Sequence, residues 1–271
     1  MHEINFKNVE LFVWNEDEET GWKIGRNEET REMFLYNDAE KIMKQIPTEF
    51  SETQFHIYPA CGGLSDNLIM VSTLGEIDVK YYHKMMGSAG MWGWIDYDMN
   101  VIIEPKYVYA TNFYDGKARV CRGEWTVDED NKYWCENEQW GIINVQGKEI
   151  VPTVYDMIYP VDNSTNLFVV HKGGWKEGHH CVYDIEKGEE VLELDFDIDM
   201  NYMFNECFWI EENNYVVFME HLLGQGCDLL SIYDLNNEKW VAYQQEYHER
   251  TLNGEKVINV TTHDGMEIHV F

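Results

Sequence analysis

Basic residues are scarce in this sequence. Lys and Arg number 20 among 271 residues against 50 Asp and Glu, which gives a formal net charge of −30. A field of this sign repels phosphate backbones and anionic lipid headgroups, so we expect neither a nucleic-acid nor a membrane partner. A basic protein is the partner that this charge favours. The alternative is that the acidic side chains only keep an aromatic-rich surface soluble.

Long apolar runs and linkers are also missing. No stretch approaches the roughly 20 apolar residues of a membrane-spanning helix, and residues 1–7 lack the basic and apolar regions of a secretory signal. The sequence holds only 5 Pro, and no Pro-, Gly- or Ser-rich segment divides it. We therefore expect a cytoplasmic protein with one domain over residues 1–271.

Cysteine is used singly. Six cysteines are scattered without the Cys-x-x-Cys pair of a structural zinc site, and we expect them to be reduced, small apolar residues on strands: Cys61, Cys121, Cys135, Cys181, Cys207 and Cys227. His179-His180-Cys181, with His171 and Cys207, suggests a metal site. However, adjacent strand residues point to opposite faces, so one ion cannot readily use all of them. We expect no metal and no cofactor.

Other chemical motifs are equally sparse. Asp195, Asp197 and Asp199 alternate in a way that predicts a solvated strand face, because the glycine turn and distal glutamate of a calcium loop do not follow. No Gly-x-Ser-x-Gly elbow, phosphate-binding glycine loop or His-Glu-x-x-His motif is present. We predict no catalytic residues and a protein that is not an enzyme.

A tandem repeat is the main positive feature. Trp92-Gly93-Trp94-Ile95-Asp96 precedes an apolar segment with Pro105, and Trp140-Gly141-Ile142-Ile143-Asn144 precedes a similar segment with Pro152. Weaker copies retain the strand and turn without Trp-Gly. The positions Asp96, Asn144, Asp184 and Asp234 are separated by 144 − 96 = 48, 184 − 144 = 40 and 234 − 184 = 50 residues. Such spacing is typical of a four-stranded β unit.

The repeat predicts unit boundaries and local structure. Units fall at about 34–90, 91–138, 139–178, 179–228 and 229–271, with 1–33 as an N-terminal flank. Glycine after tryptophan would let another backbone approach closely, and Pro105 and Pro152 would end strand pairing. Residues 38–45 are a weak helix candidate.

These motifs resemble the bacterial WG-repeat family, most closely over Trp92–Val120 and Trp140–Val170. The resemblance implies an all-β fold of tandem antiparallel β-repeats used mainly for binding, without shared catalytic residues. We prefer a closed, propeller-like arrangement to an open array. Apolar segments at residues 9–14 and 257–271 would let the terminal strands pair.

The segment Arg122–Gln139 separates the two clear copies and is rich in large rings and acids. Rigid aromatic anchors with acidic neighbours are typical of protein-binding surfaces. We predict partner-binding residues here and at one further tryptophan: Trp125, Asp128, Glu129, Asp130, Tyr133, Trp134 and Trp175. The alternative is an extra hairpin whose tryptophans cover the sheet.

Three functions fit the sequence. The first is a non-enzymatic protein-binding module, of which an acidic immunity-type inhibitor of a basic toxin or effector is the specific form. The second is a carbohydrate-binding or carbohydrate-active β-repeat protein, because 10 Trp and 17 Tyr offer rings that stack on sugars. The third is a purely structural scaffold.

Overall fold

A computed structural model describes most of the chain. It covers residues 11–27, 29–30, 32–47, 57–73, 90–127, 133–174, 178–196, 206–222, 227–247, 250–252, 255–261 and 267–270. The side chains of residues 11–15, 57–62, 73, 127, 133, 221–222 and 227–228, and of the strands after residue 247, lie outside the description. In the described segments no helix is long and apolar enough to cross a membrane.

Antiparallel sheets that follow chain order make up the described fold. The first sheet contains β1 (Leu11–Asp17), β2 (Trp22–Asn27), β3 (Met33–Asn37) and β4 (Ile42–Ile46). The second contains β5 (Ile57–Ser65), β6 (Leu68–Thr73), β7 (Trp92–Asp96) and β8 (Val101–Tyr107). The third contains β9 (Tyr109–Ala110), β10 (Lys117–Val127), β11 (Tyr133–Asn144) and β12 (Glu149–Tyr155).

Three more sheets follow along the chain. The fourth contains β13 (Met157–Pro160), β14 (Leu167–Lys172), β15 (His179–Asp184) and β16 (Glu189–Glu193). The fifth contains β17 (Glu206–Ile210), β18 (Tyr215–Leu222), β19 (Cys227–Asp234) and β20 (Lys239–Tyr247). A three-stranded sheet contains β21 (Arg250–Leu252), β22 (Glu255–Thr261) and β23 (Glu267–Val270). The prediction of an all-β repeat fold is therefore confirmed as repeated four-stranded antiparallel sheets.

The chain forms two compact units, Met1–Tyr155 and Asp156–Phe271. In the first unit, one core cluster surrounds Leu35 and Ile69, and another surrounds Trp94 and Ile143. The second unit has its own clusters, around Phe218 and around Ile232. The expectation of a single domain over residues 1–271 stays a prediction.

The third strand of each four-stranded sheet ends in Asp or Asn. In all five, the side-chain Oδ1 accepts two backbone N–H bonds of 2.8 to 3.3 Å from the following turn: Asn37, Asp96, Asn144, Asp184 and Asp234. Such Asx turns satisfy backbone donors that the strands leave unpaired. The weaker copies thus occupy the same structural place as the two clear ones.

The Trp-Gly glycine lies where the fourth strand crosses closely. A Cβ on Gly93 would meet the Ile103 carbonyl oxygen and would lie 2.6 Å from Pro105 N, and one on Gly141 would lie 2.8 Å from the Thr153 Cα. Pairing between the third and fourth strands shifts register at both glycines. The predicted close backbone approach is therefore confirmed.

The crowding at the position of this glycine also explains which residues replace it in the copies that lack Trp-Gly. Its occupants in β15 and β19 are the small, buried residues Cys181 and Ser231, and the Ser231 hydroxyl accepts a 2.9 Å bond from Gln244 N. In β3 the position holds Phe34, and there β3 and β4 pair without a register shift. A large side chain fits only where the fourth strand keeps regular pairing.

Several local expectations are wrong. Residues 38–45 are not helical, because Asn37 caps a turn in which Lys41 has a φ of 57°, and β4 follows. Pro105 and Pro152 lie inside β8 and β12, since these are edge strands where a missing N–H is tolerated. The flank 1–33 is not merely a flank, because it supplies β1, β2 and the first residue of β3.

The predicted pairing of the two chain ends does not appear among the described strands. There β1 pairs with β2, and β23 pairs with β22. Each terminal strand is therefore part of a local antiparallel hairpin.

Candidate functional site

The segment Arg122–Gln139 is the outer part of the β10–β11 hairpin. Pairing runs from Lys117 opposite Asn144 to Val127 opposite Tyr133, with an irregularity between Arg122 and Glu124. At this irregularity, a Cβ on Gly123 would meet Cys135 Sγ and lie 2.9 Å from the Glu136 carbonyl oxygen. The insertion is therefore a continuation of the β10–β11 pairing. We call its two sides the inner and outer faces.

The inner face packs against the sheet through aromatic rings. Tyr109 stacks on Trp140 with ring centroids 5.9 Å apart and an interplanar angle of 5°. It also meets Trp125 edge-on at 5.4 Å, and the Trp125 Nε1 donates a 3.2 Å hydrogen bond to the Gly90 carbonyl. Trp125 is half-buried and anchors the hairpin.

The tyrosine and the two thiols on the inner face are protonated at neutral pH. Burial, assisted by the charge of Glu138, raises the pKa of Tyr109 to about 12. The same two causes raise the pKa of Cys121 to about 12 and that of Cys135 to about 11. A thiol needs to ionise to act as a nucleophile. This arrangement favours a packing role for these groups.

The outer face is polar, acidic and exposed. Trp134 is 40% exposed, and its Nε1 donates a 3.1 Å hydrogen bond to Glu136 Oε1. Glu136 lies directly opposite Glu124 on β10, and both are exposed. Side chains at such opposed positions have Cβ atoms roughly 5 Å apart. The two carboxylates therefore share one small area beside an exposed indole.

One cation of this hairpin, Arg122, is already paired. Arg122 forms an ion pair with Glu149 of β12. Neither Glu124 nor Glu136 forms an ion pair with a described residue. Among the described residues, no cation offsets the negative charge around Trp134.

The predicted partner-binding residues divide accordingly. Trp134 is on the outer face and exposed, whereas Trp125 packs on the inner face. Tyr133 is described only as backbone in β11, and Asp128, Glu129, Asp130 and Trp175 lie outside the described residues. The structure thus brings Trp134 together with Glu124 and Glu136.

Sequence reasoning missed three exposed side chains of the same sheet. Glu124 was not singled out, although the opposition of Glu124 and Glu136 would follow from the hairpin register. Tyr114, in the β9–β10 turn, is 82% exposed, and Val154 of β12 is 56% exposed. Alternation along β12 could have identified Val154, because its neighbours Thr153 and Tyr155 are buried.

The histidine constellation of β14 and β15 is compact and buried. His171 and His180 lie on paired strands with ring centroids 4.6 Å apart, and the His171 Nδ1 lies 3.4 Å from Asp156 Oδ2. His179, half-buried, lies 3.7 Å from Glu193. No group of three or more metal-ligating side chains gathers among the residues described.

Strands were predicted for the six cysteines and for Asp195, Asp197 and Asp199. The six cysteines all lie on strands as predicted, and Cys121, Cys135, Cys181 and Cys207 are free thiols. Asp195 and Phe196 lie in a bend after β16, so the strand expected there is wrong for these two residues. Asp195 Oδ1 accepts a 2.9 Å hydrogen bond from Tyr243, and residues 197–200 lie outside the description.

Comparison with known proteins supports the repeat. Residues 92–124 and 140–175 match the model of the WG containing repeat. The first match begins at the start of β7, the third strand of the second sheet, and ends within β10, the second strand of the third sheet. The second match begins within β11, the third strand of the third sheet, and ends just beyond β14, the second strand of the fourth sheet. The sequence repeat is thus out of phase with the sheets by two strands. No curated protein matches the chain significantly.

Two solved structures illustrate the distant likenesses. A structure described as oligogalacturonate lyase in complex with manganese is 12% identical, with a TM-score of 0.35, over 93% of this chain and 73% of that one. The β-propeller domain of the Trilobed protease from Pyrococcus furiosus is 14% identical, with a TM-score of 0.35, over 96% and 83%. The resemblance predicted from the Trp-Gly motifs is confirmed by the match of residues 92–124 and 140–175 to that repeat model.

Proposed function

We propose that this protein is a non-enzymatic protein-binding module that captures a basic protein on the outer face of the β10–β11 hairpin. The observation that carries the proposal is the exposed Trp134 beside the opposed carboxylates of Glu124 and Glu136. In its specific form, the protein is an acidic, cytoplasmic, immunity-type inhibitor of a basic toxin or effector.

Trp134 supplies the anchor of this surface. Tryptophan is enriched among the residues that dominate binding free energy, because its large rigid ring buries much area at low entropic cost. The hydrogen bond from Trp134 Nε1 to Glu136 restrains the ring in the unbound protein. A restrained ring loses less conformational entropy when a partner covers it.

Glu124 and Glu136 supply the preference for a basic partner. Like charges directly opposite on paired strands destabilise a hairpin, and no described cation offsets this pair. A lysine or arginine from a partner would remove the repulsion. The net charge of −30 would also accelerate encounter with a basic molecule.

The inner face supports a non-enzymatic role for the hairpin. Its thiols and its tyrosine are protonated at neutral pH, and burial raises their pKa values further. They pack the hairpin against the sheet and hold the outer face in place.

We further propose that the sheets are arranged as blades of a closed propeller rather than an open array. Two observations support this arrangement. The sheets follow one another in chain order, and each matched repeat runs from one sheet into the next: the first from the second sheet into the third, and the second from the third sheet into the fourth. Small-angle scattering tests this directly. A compact disc-like particle is expected, and an elongated particle would contradict closure.

Binding to a panel of purified basic toxin domains tests the function. We expect at least one domain to bind, with an association rate that falls as salt rises, because exposed charges steer the encounter. An acidic domain of similar size serves as the control. Failure of every basic domain to bind, at low as well as high salt, would contradict the proposal.

A further inference from the structure

The outer part of β11 has a backbone edge that no described strand covers. β12 pairs with β11 only from Trp140 to Ile143. Residues 133–139 of β11 have β10 on one side, and no strand of the described segments on the other. In the second unit, by contrast, β20 covers β19 as far as Asp228, next to the start of that strand.

The edge is bounded at both ends. Asn137, with a φ of 55°, interrupts regular pairing on one side, and the pair of Val127 with Tyr133 is the last described on the other. Between them, residues 133–136 pair regularly with β10, so alternate N–H and C=O groups of β11 point away from the hairpin. Trp134 and Glu136 are exposed along this stretch.

An open edge normally invites pairing with another copy of the same chain. Here the chain carries a net charge of −30. Glu136 lies on the edge strand β11, and Glu124 lies opposite it on β10, one strand further in. A second copy would bring the same acidic residues against them, and like charges in that position repel. The charge therefore disfavours self-pairing while leaving the edge available to a basic strand.

We infer that residues 133–136 of β11 accept an extended segment of the basic partner as an added β-strand. This inference rests on the proposed function. Backbone hydrogen bonds to β11 would supply part of the affinity, and side chains on alternate residues would supply the selectivity. A lysine or arginine on the outer face meets the Glu136 carboxylate and the Trp134 ring, which attracts a cation over its face.

The partner segment is thus a short extended peptide with basic residues at alternate positions. Alternation follows from strand geometry, because only every second residue of the added strand shares the face of Trp134 and Glu136. The other residues lie toward the inner side, where Cys135 and Trp125 pair across the hairpin.

Two peptides of identical charge test the inference on the full-length protein. The first alternates lysine and threonine, and the second has the same side chains but an N-methyl group on every peptide nitrogen. We expect the methylated peptide to bind about tenfold more weakly or worse, because it cannot donate backbone hydrogen bonds to β11. A glutamate–threonine peptide is the charge control and should not bind.

Hydrogen exchange provides the second measurement. The unmodified peptide should slow exchange of the backbone amides of residues 133–136 and leave those of residues 117–121, already inside the sheet, unchanged. Equal binding of the two lysine peptides, or no added protection at 133–136, would overturn strand addition while leaving a basic partner in place. If neither lysine peptide binds, both strand addition and the proposed function fail.

Discussion

Glu124 and Glu136 lie directly opposite each other across β10 and β11, next to the exposed ring of Trp134. A hairpin selected for stability alone would place opposite charges at such a pair. The nearby Arg122 instead forms its ion pair with Glu149, two strands away on β12. The opposition therefore favours a role in binding over a role in folding.

Removing one of these charges should stabilise the protein and weaken binding. Glu136→Gln ends the repulsion, and we expect a gain in the free energy of unfolding of about 0.2–1 kcal/mol. Affinity for the basic partner should fall. Urea unfolding and a binding titration measure the two effects. Glu104→Gln, at an exposed position on β8, is the control, and it should change neither quantity. A destabilised Glu136→Gln variant would contradict the repulsion.

The Trp-Gly glycines should not tolerate a methyl group. Gly93→Ala and Gly141→Ala place a Cβ against the backbone of the fourth strand, and we expect each to cost about 1–3 kcal/mol or more. Gly116→Ala is a matched control, because Gly116 has a φ of 70° but no atom within 4 Å of the added Cβ. It should cost only the strain of the left-handed backbone, about 1–2 kcal/mol. Thermal or urea unfolding of the three variants gives the comparison, and equal losses would show that crowding is not the cause.

Asp234 should contribute stability that acid removes. Burial alone would raise its pKa, but hydrogen bonds from the Asn237 side chain and from the backbone of Asn237 and Asn236 outweigh burial and lower it. A carboxyl with a lowered folded pKa stabilises at neutral pH, and this stability is lost as pH falls through that pKa. Asp234→Ala should therefore cost about 1–3 kcal/mol near pH 7.

The pH dependence of the free energy of unfolding separates the effect of the Asp234 charge from the effect of its hydrogen-bond acceptor. Asp234→Asn retains the Oδ1 acceptor, as Asn37 and Asn144 do in their own turns. We expect Asp234→Asn to cost less stability than Asp234→Ala. The difference in the free energy of unfolding between Asp234→Asn and the unchanged protein should shrink as pH falls below about 4. Unfolding curves at several pH values measure this. A gap that widens in acid would contradict the sign of the shift.

Tyr109 should make the protein less stable in alkali. Its folded pKa is raised to about 12 by burial and by Glu138, against about 10 in the unfolded chain. Its contribution is fully present below pH 10 and is lost as pH rises from there toward 12. Tyr109→Phe, which cannot ionise, should lose less stability over that interval in urea unfolding. Identical alkaline losses in the two proteins would argue against a buried phenol.

The parts of the fold that repeat could be predicted from the sequence. Asp96 and Asn144 lie at the same point of successive copies because the Asx turn demands a short side-chain oxygen there, and Asp184 and Asp234 follow the same rule. The sequence does not reveal which strand of the repeat begins a sheet, because the strand and turn that recur in each copy look alike whether a sheet begins or ends with them. The prediction of a helix over residues 38–45 is wrong because Asn37 and Lys41 form a turn that overrides helix propensity.

The site could be predicted only as a segment. Composition pointed to Arg122–Gln139, and the structure separates its tryptophans, since strand alternation places Trp125 inward and Trp134 outward. The register that sets Glu124 opposite Glu136 depends on the irregularity at Gly123 and Asn137. Hydrophobic pattern alone does not reveal such an irregularity.

The affinity of Trp134→Ala for a basic partner domain, compared with that of Tyr114→Ala, tests the central claim most directly. Both changes remove an exposed ring of the third sheet, but Tyr114 precedes the start of β10 whereas Trp134 lies beside its end. We predict that Trp134→Ala lowers the affinity about tenfold or more and that Tyr114→Ala changes it little. The free energy of unfolding of Trp134→Ala should stay within about 0.5 kcal/mol of that of the unchanged protein. Unchanged affinity in the Trp134→Ala variant, at preserved stability, would contradict the claim that the outer face is the binding surface.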